Sequence, residues 1–550
     1  MKKIHLLINL VLTLVLLGLA ACTPSVPAET TSSGVEEKEE PTAVVVAEAG
    51  EMGGGLSNTL VIAENEQPFS FDPMFTDDST VNRMTVLAYD ALVQYKPGTT
   101  EIIPWLAKEW KVSEDGLSYT FILNEGVKFH DGTDLTASDV KFTFDRLTSI
   151  AQGISYELWN LQSVEIIDDY TVKLNLGEPS IPFFKILPKM FIISEDGVKA
   201  NEQNGDSAAA YLSDHDLGSG PYQLTSFVPE QQAILEKFDD YWQGWEDGQV
   251  EKVIYSFIKE SATQRLMLEK GDIDISMDPS VDDLPTINTN PDLFVDEGST
   301  IVEFFFHMRT IHKPLDDIRV RKALALAYDY STHMNIALGG SGVQAQGPYA
   351  RSIPNHNDDL EIPSQNLEEA KALLAEAGYP DGGFTLKVAY EQDLEEQARA
   401  FEILQTNLGE LGITVEGLPM DWGAKFDMEQ DENSEPDIYE EYYWSNAADP
   451  DSSLRDIFHG ASRGVGGNAS WYQNEEVDRL MDEGVGLQDE IKREQIYKDV
   501  QQLITDDQPS IFVSNPTYPV ALRKWVEGYV YNPMHHQTIW AYSIRLNGKQ

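Results

Sequence analysis

The chain has 550 residues, 41% of them hydrophobic and 10% aromatic, which excludes a disordered protein and exceeds what one hydrophobic core supports, so two or more lobes are expected. Its 92 acidic residues against 39 basic ones give a formal charge of −53, a sign that repels phosphate backbones and argues against nucleic acid as a partner. With a single cysteine, the chain owes none of its stability to internal disulfides.

Lys2 and Lys3 start the chain, and an apolar run over 6–19 leads into Leu19-Ala20-Ala21-Cys22. A basic start, a short apolar segment and small residues at its end make a secretory signal, too short and wrongly flanked for a transmembrane anchor. Leu-Ala-Ala-Cys resembles the lipobox, in which the cysteine sulfur receives a diacylglycerol and the cleaved chain begins at that residue. Cys22 is therefore the expected lipidation site, with residues 1–21 as signal peptide. Residues 22–55 are small, polar and acidic, lack periodicity and end in Gly53-Gly54-Gly55, which predicts a flexible linker. The folded body is expected to start near Leu56 and to work outside the cytoplasm, held to the membrane through lipid alone, because no later apolar run approaches bilayer length.

In the body, residues 117–129 alternate in part and carry a glycine turn, which predicts antiparallel strands. Thr136-Ala-Ser-Asp-Val140 opens a helix through Phe142, Phe144 and Leu147, and further strands are expected at 172–176, 222–227, 233–237 and 253–257. Asn366 is placed to cap a helix through Glu369, which Gly378 and Pro380 stop. Residues 384–390 then read as a strand. Leu394, Ala398, Phe401, Leu404, Leu408 and Leu411 share one helical face, Gly412 ends that helix, and 413–419 reads as a second strand. Strand, helix and strand with tight connections predict a right-handed crossover in a parallel sheet, so the region from about 310 to 510 is an α/β lobe.

Motifs for catalysis are missing. No Gly-x4-Gly-Lys-Ser/Thr run, His-Glu-x-x-His helix or Gly-x-Ser-x-Gly elbow occurs. His535-His536 lacks a carboxylate at helical spacing and reads as a surface pair, and carboxylate pairs such as Asp77-Asp78 and Asp239-Asp240 read as solvated surface. Neither a catalytic function nor a metal or other cofactor is called for.

Several longer segments together carry a resemblance: Pro104-Trp-Leu-Ala-Lys-Glu-Trp110, Tyr119-Thr-Phe-Ile-Leu123, Gly126-Val-Lys-Phe-His-Asp-Gly132, Leu135-Thr-Ala-Ser-Asp-Val140, Gly218-Ser-Gly-Pro-Tyr222 and Asp317-Ile-Arg-Val-Arg-Lys-Ala-Leu324, with Asp449-Pro-Asp451 and Val526-Glu-Gly-Tyr529. The sequence resembles the extracytoplasmic solute-binding proteins of ABC importers, the family that includes the dipeptide- and oligopeptide-binding lipoproteins, over about residues 57–535. The resemblance implies a two-lobed α/β clamp of the periplasmic-binding-protein type. Lobe one is expected from 56–80, 216–303 and 518–550 with an inserted subdomain over 81–215, and lobe two from 304–517. It also implies a monomer that binds a peptide or other small solute and docks on ABC permease subunits. The Gly126–Gly132 block reads as fold-defining turn chemistry, with Val127 and Phe129 facing a core.

One departure from the family lies at 443–454. In the peptide binders of this family, an aspartate four residues before the proline pairs with the ligand's ammonium; here that position is Asn446. An amide accepts a hydrogen bond but brings no charge. Asp449 or Asp451 is a substitute carboxylate, or the ligand lacks a free amine. Tyr443 and Trp444 are placed to pack on a peptide side chain, to stack on a sugar face, or to serve the lobe-two core. The expected ligand-binding residues are thus Tyr443, Trp444, Asn446 and Asp449. Peptide is the expected ligand, with oligosaccharide, a nickel chelate and an extracytoplasmic hydrolase as rival readings.

Overall fold

Thr59–Glu64 buries Leu60 and Ile62 on one face and Ala63 on the other, and becomes an inner strand of a seven-stranded sheet. The computed structural model describes residues 58–298, 301–535 and 537–549, all within the unit Gly55–Gln550. The expected signal peptide, the expected lipidation site Cys22 and the expected linker lie outside the described residues. Thr59–Glu64 runs parallel to Lys252–Phe257, from Thr59 opposite Lys252 to Glu64 opposite Phe257, and parallel to Ile275–Ser276. Beyond these lie Gln232–Lys237 and Tyr222–Val228 on one side and Val520–Arg523 and Leu293–Asp296 on the other. One sheet thus draws strands from both ends of the described chain, which makes this lobe discontinuous.

The insertion carries its own four-stranded antiparallel sheet, ordered Ala107–Val112, Ser118–Leu123, Thr171–Leu176 and Leu161–Asp168. The helix Ala137–Ile150 lies beside it and starts on a capping box: Thr136 accepts from the Ser138 amide, and Asp139 accepts from the Thr136 amide. Val127 and Phe129 are fully buried in this core, and His130 stands between Asp216 and the Gly220 carbonyl, so the Gly126–Gly132 block joins the insertion to the sheet behind it. The helix Ser79–Ala88 runs across the expected 80/81 boundary. Its Met84, Leu87 and Ala88 pack with Leu60 and Ile62, which places it physically with the seven-stranded sheet.

Lobe two is built on six strands, ordered Val343–Gln344, Ser510–Asn515, Val302–Met308, Ile438–Trp444, Thr385–Glu391 and Thr414–Met420. The expected strand–helix–strand unit is present: Thr385–Glu391 pairs in parallel with Thr414–Met420, and the helix Glu395–Gly409 connects them. That helix buries Phe401, Leu404 and Leu408 against Leu386 and Val388, each large side chain worth about 2 kcal/mol of transfer energy. Asn366 caps the preceding helix through Glu369, as its spacing predicts. Among the described residues, no helix is long and apolar enough to cross a membrane.

The insertion and lobe two touch directly. The Ile181 amide donates to the Val485 carbonyl at 3.0 Å, and Ala447 of lobe two packs into the insertion's core.

Candidate functional site

Side chains alternate along Ile438–Trp444. Ile438 and Tyr442 pack with the helices of the crossover unit, whereas Tyr443 turns to the opposite face and packs with the helices that follow it. The Tyr443 hydroxyl donates to the Ser452 carbonyl at 2.8 Å and to Asp456 Oδ2 at 3.3 Å. Trp444, at the strand's end, is 38% exposed.

The next residues sort into scaffold and junction. Asp449 caps the helix Pro450–Phe458, accepting from the Asp451 amide at 2.9 Å, with proline at the first helical position where its missing N–H costs nothing. Its carboxylate also takes Arg493 at 2.8 Å. Asp451 holds Arg455 at 2.8 Å and accepts from the Tyr497 hydroxyl at 2.7 Å. Both aspartates are buried and committed to lobe-two partners, which leaves neither placed as a spare carboxylate at Asn446.

Asn446 reaches the insertion. Its Nδ2 donates to the Tyr156 hydroxyl and to Glu157 Oε1 at 3.1 Å, and its Oδ1 accepts from Lys189 Nζ at 3.5 Å. Tyr156 and Glu157 come from the short 3-10 helix Gly153–Leu158, which lies tight against the Met74 carbonyl. A Cβ on Gly153 would come within 2.1 Å of that oxygen, and its φ of +54° also favours glycine. Lys189 ends the 3-10 turn Leu187–Lys189, and its carbonyl is pinned by the Thr76 hydroxyl at 3.0 Å. Sequence separations of 257 to 290 residues converge here.

Electrostatics at this junction are frustrated. Burial, then the Asp456 carboxylate, pushes Glu157 up to about 7 against the downward pull of Asn446 and Lys189. Burial drives Lys189 down to about 8, and the Glu157 and Asp77 charges resist only partly.

Three of the expected binding residues, Tyr443, Trp444 and Asn446, stand at or beside this junction, and Asp449 stands behind it. Glu157 and Lys189 went unread in the sequence. The only available signal was a pair of lysines, Lys185 and Lys189, inside the apolar run 181–194. Two surface expectations also fail. His535 is buried against the Tyr95 and Phe191 rings because aromatic packing covers it, while His536 lies outside the described residues. Of the two carboxylate pairs, Asp239-Asp240 is exposed, but Asp78 caps the helix Ser79–Ala88 and Asp77 carries its charge toward Lys189. Among the described residues, no group of three His, Cys, Asp or Glu side chains is arranged to hold a metal ion.

Comparison with known proteins agrees with this architecture. Residues 101–464 match the family described as bacterial extracellular solute-binding proteins, family 5 Middle. The chain is 28% identical to the dipeptide-binding protein of Escherichia coli, over 87% of this chain and 94% of that one. It is 27% identical to heme-binding protein A of Haemophilus influenzae, over 98% and 99%. The solved structure of the periplasmic binding protein DppA from Helicobacter pylori, in complex with the peptide STSA, superposes with a TM-score of 0.75 at 27% identity, covering 89% of this chain and 98% of that one. The overall fold is thus shared with that solved relative, and the chain, matched over 101–464, belongs to the family 5 extracellular solute-binding proteins.

Proposed function

We propose that this chain is a lipid-anchored extracytoplasmic receptor that captures peptides between its two lobes and delivers them to the membrane permease subunits of an ABC importer. The observation that carries the reading is the junction itself: Asn446 of lobe two meets Tyr156, Glu157 and Lys189 of the insertion, so the polar groups suited to a ligand lie where the lobes close on each other. The names of relatives support the peptide class, since one is a dipeptide-binding protein and a solved relative carries a bound peptide.

The mechanism has no covalent step. Open and closed arrangements interconvert by hinge motion, and a ligand that touches both lobes favours the closed one by its differential affinity. A peptide suits such a seam because its backbone offers hydrogen bonds while its side chains enter permissive pockets.

Two measurements test the reading. Mass spectrometry of what co-purifies with the body should find peptides, and adding them should reduce the radius seen in X-ray scattering. A bound sugar instead would replace the peptide class, and identical scattering at saturation would refute ligand-driven closure. For the anchor, Cys22→Ala should release the protein from membranes, because no other thiol is present to take the diacylglycerol; recovery of acylated protein from that variant would refute the lipid reading.

A further inference from the structure

Eight basic side chains are buried in the described residues, and Lys189 differs from the other seven in what it faces. Arg83, Arg146 and Arg493 each meet a carboxylate, at 3.3, 2.5 and 2.8 Å. Lys425 meets Glu391 at 3.0 Å and the Glu440 carbonyl at 2.8 Å. Arg309, Arg321 and Arg523 spread their guanidinium groups over backbone carbonyls. Lys189 is 3% exposed, yet the one hydrogen bond of its ammonium among the described residues is the 3.5 Å contact to the neutral Asn446 oxygen. No carboxylate among them comes within 4.0 Å of it.

An ammonium has three donors, and burying it without an anionic partner is costly. A charge-assisted bond in such a place runs at roughly 2.8 Å. The Asn446 contact is long and neutral, so it is a weak substitute for one. Glu157, the nearest candidate by charge, is held off: Asn446 Nδ2 donates to it while Asn446 Oδ1 faces the lysine. Only an amide can do both. An aspartate at 446 would pair with Lys189 and repel Glu157, so the asparagine leaves the lysine with no directly paired carboxylate among the described residues, the more distant Glu157 and Asp77 charges compensating it only in part.

We propose that Lys189 is the anion seat of the cleft, taking a carboxylate of the ligand when the lobes close, with Asn446 positioning the ammonium beside it. The ligand class is therefore a small solute with a free carboxylate, such as a peptide's C-terminus or an acidic side chain. The inference rests on the receptor reading above but not on the solute being a peptide, since a sugar acid offers the same group.

Calorimetric titration of the body with two matched pairs tests it: a tripeptide as free acid and as C-terminal amide, and a neutral oligosaccharide with its uronate counterpart. For whichever class binds, the acid member should bind roughly tenfold tighter, the difference one charge-assisted bond makes. Lys189→Met should bring that ratio to about one, and Lys189→Arg should keep most of it. Methionine is apolar and unbranched, so the variant should fold, and its melting curve checks this. A Lys189-dependent ratio confined to the sugar pair would overturn the peptide reading and support the anion seat. A ratio near one in the wild type, a ratio that survives Lys189→Met, or silence from both pairs would overturn the anion seat.

Discussion

Asp90 and Lys189 are both buried ionisable groups in the same half of the molecule, and they are treated in opposite ways. Asp90 is fully buried and accepts from four donors: Trp105 Nε1 at 2.7 Å, Trp242 Nε1 at 3.1 Å, Ser219 Oγ at 3.1 Å and the Tyr241 hydroxyl at 3.4 Å. Trp105 stands just before the insertion sheet's edge strand, Ser219 just before the seven-stranded sheet's outermost strand, and Tyr241 and Trp242 just after its neighbour Gln232–Lys237, so one carboxylate ties the two bodies of lobe one together. Lys189 has three donors and, among the described residues, a single long, neutral acceptor that belongs to the other lobe. A buried polar group whose partners are complete fixes an arrangement; one whose partners are incomplete stores a cost that a mobile partner can relieve. The same contrast runs along six residues of lobe two, where Asp449 and Asp451 are locked into Arg493, Arg455 and Tyr497 while Asn446 reaches outward.

If Asp449 belongs to the completed class, breaking it should give the largest stability loss. Asp449→Ala strands Arg493 against lobe-two packing and removes the cap of Pro450–Phe458. A loss of about 3–5 kcal/mol is expected by urea denaturation; a loss under about 1 kcal/mol would return Asp449 to the ligand-facing class. Asp90→Asn comes next, at about 2 kcal/mol, because its NH2 faces donors rather than acceptors. Burial holds Asp90 up to about 6, against the pull of Trp105, Trp242 and Ser219, whereas an unfolded-chain aspartate titrates near 3.9. The folded protein therefore keeps the extra proton between about pH 4 and 6, and the wild type loses stability as pH rises through that window. The variant lacks this slope, so the gap between the two should narrow from pH 4 to pH 6. Parallel curves would show that Asp90 is ionised throughout.

What the sequence made legible was local. Thr136 with Asp139, Asn366 with Glu369, and the apolar stripe from Phe401 to Leu408 each act within a few residues, so spacing alone exposes them. The family motifs carried the two-lobed architecture, because turns such as Gly126–Gly132 join particular bodies. Charged residues were the failure. Composition makes acidic side chains look like surface, yet Glu440 lies fully buried on the strand Ile438–Trp444, beside Glu441, which burial raises to about 7. Whether a carboxylate is solvated depends on what the other strands and lobe bring to it, and Lys189 is recognisable as an anomaly only when all its neighbours are known.

Asn446→Asp gives the smallest effect and the sharpest distinction. Two readings of the junction predict opposite signs. If a ligand ammonium sits at 446, the new carboxylate adds a charge-assisted bond, and free-amine peptides should bind about fivefold tighter while N-acetylated ones gain nothing. If Lys189 is the anion seat, the new carboxylate pairs with it and competes with the ligand, so free-acid peptides should bind about fivefold more weakly and the amine-to-acetyl ratio should stay near one. We expect the second result, because Lys189 Nζ already faces Oδ1 of residue 446. The new charge also stands against Glu157, which loses the Asn446 donor and titrates near 7 in the wild type. Below that value Glu157 is protonated and the repulsion disappears; above it two carboxylates face one lysine. The affinity lost by the variant should therefore be smaller at pH 5.5 than at pH 7, a span that stays below the value of about 8 to which burial drives Lys189. A loss independent of pH would mean that Glu157 does not share the seam with residue 446 in solution, and a gain confined to free-amine peptides would move the ligand's ammonium, not its carboxylate, to this end of the cleft.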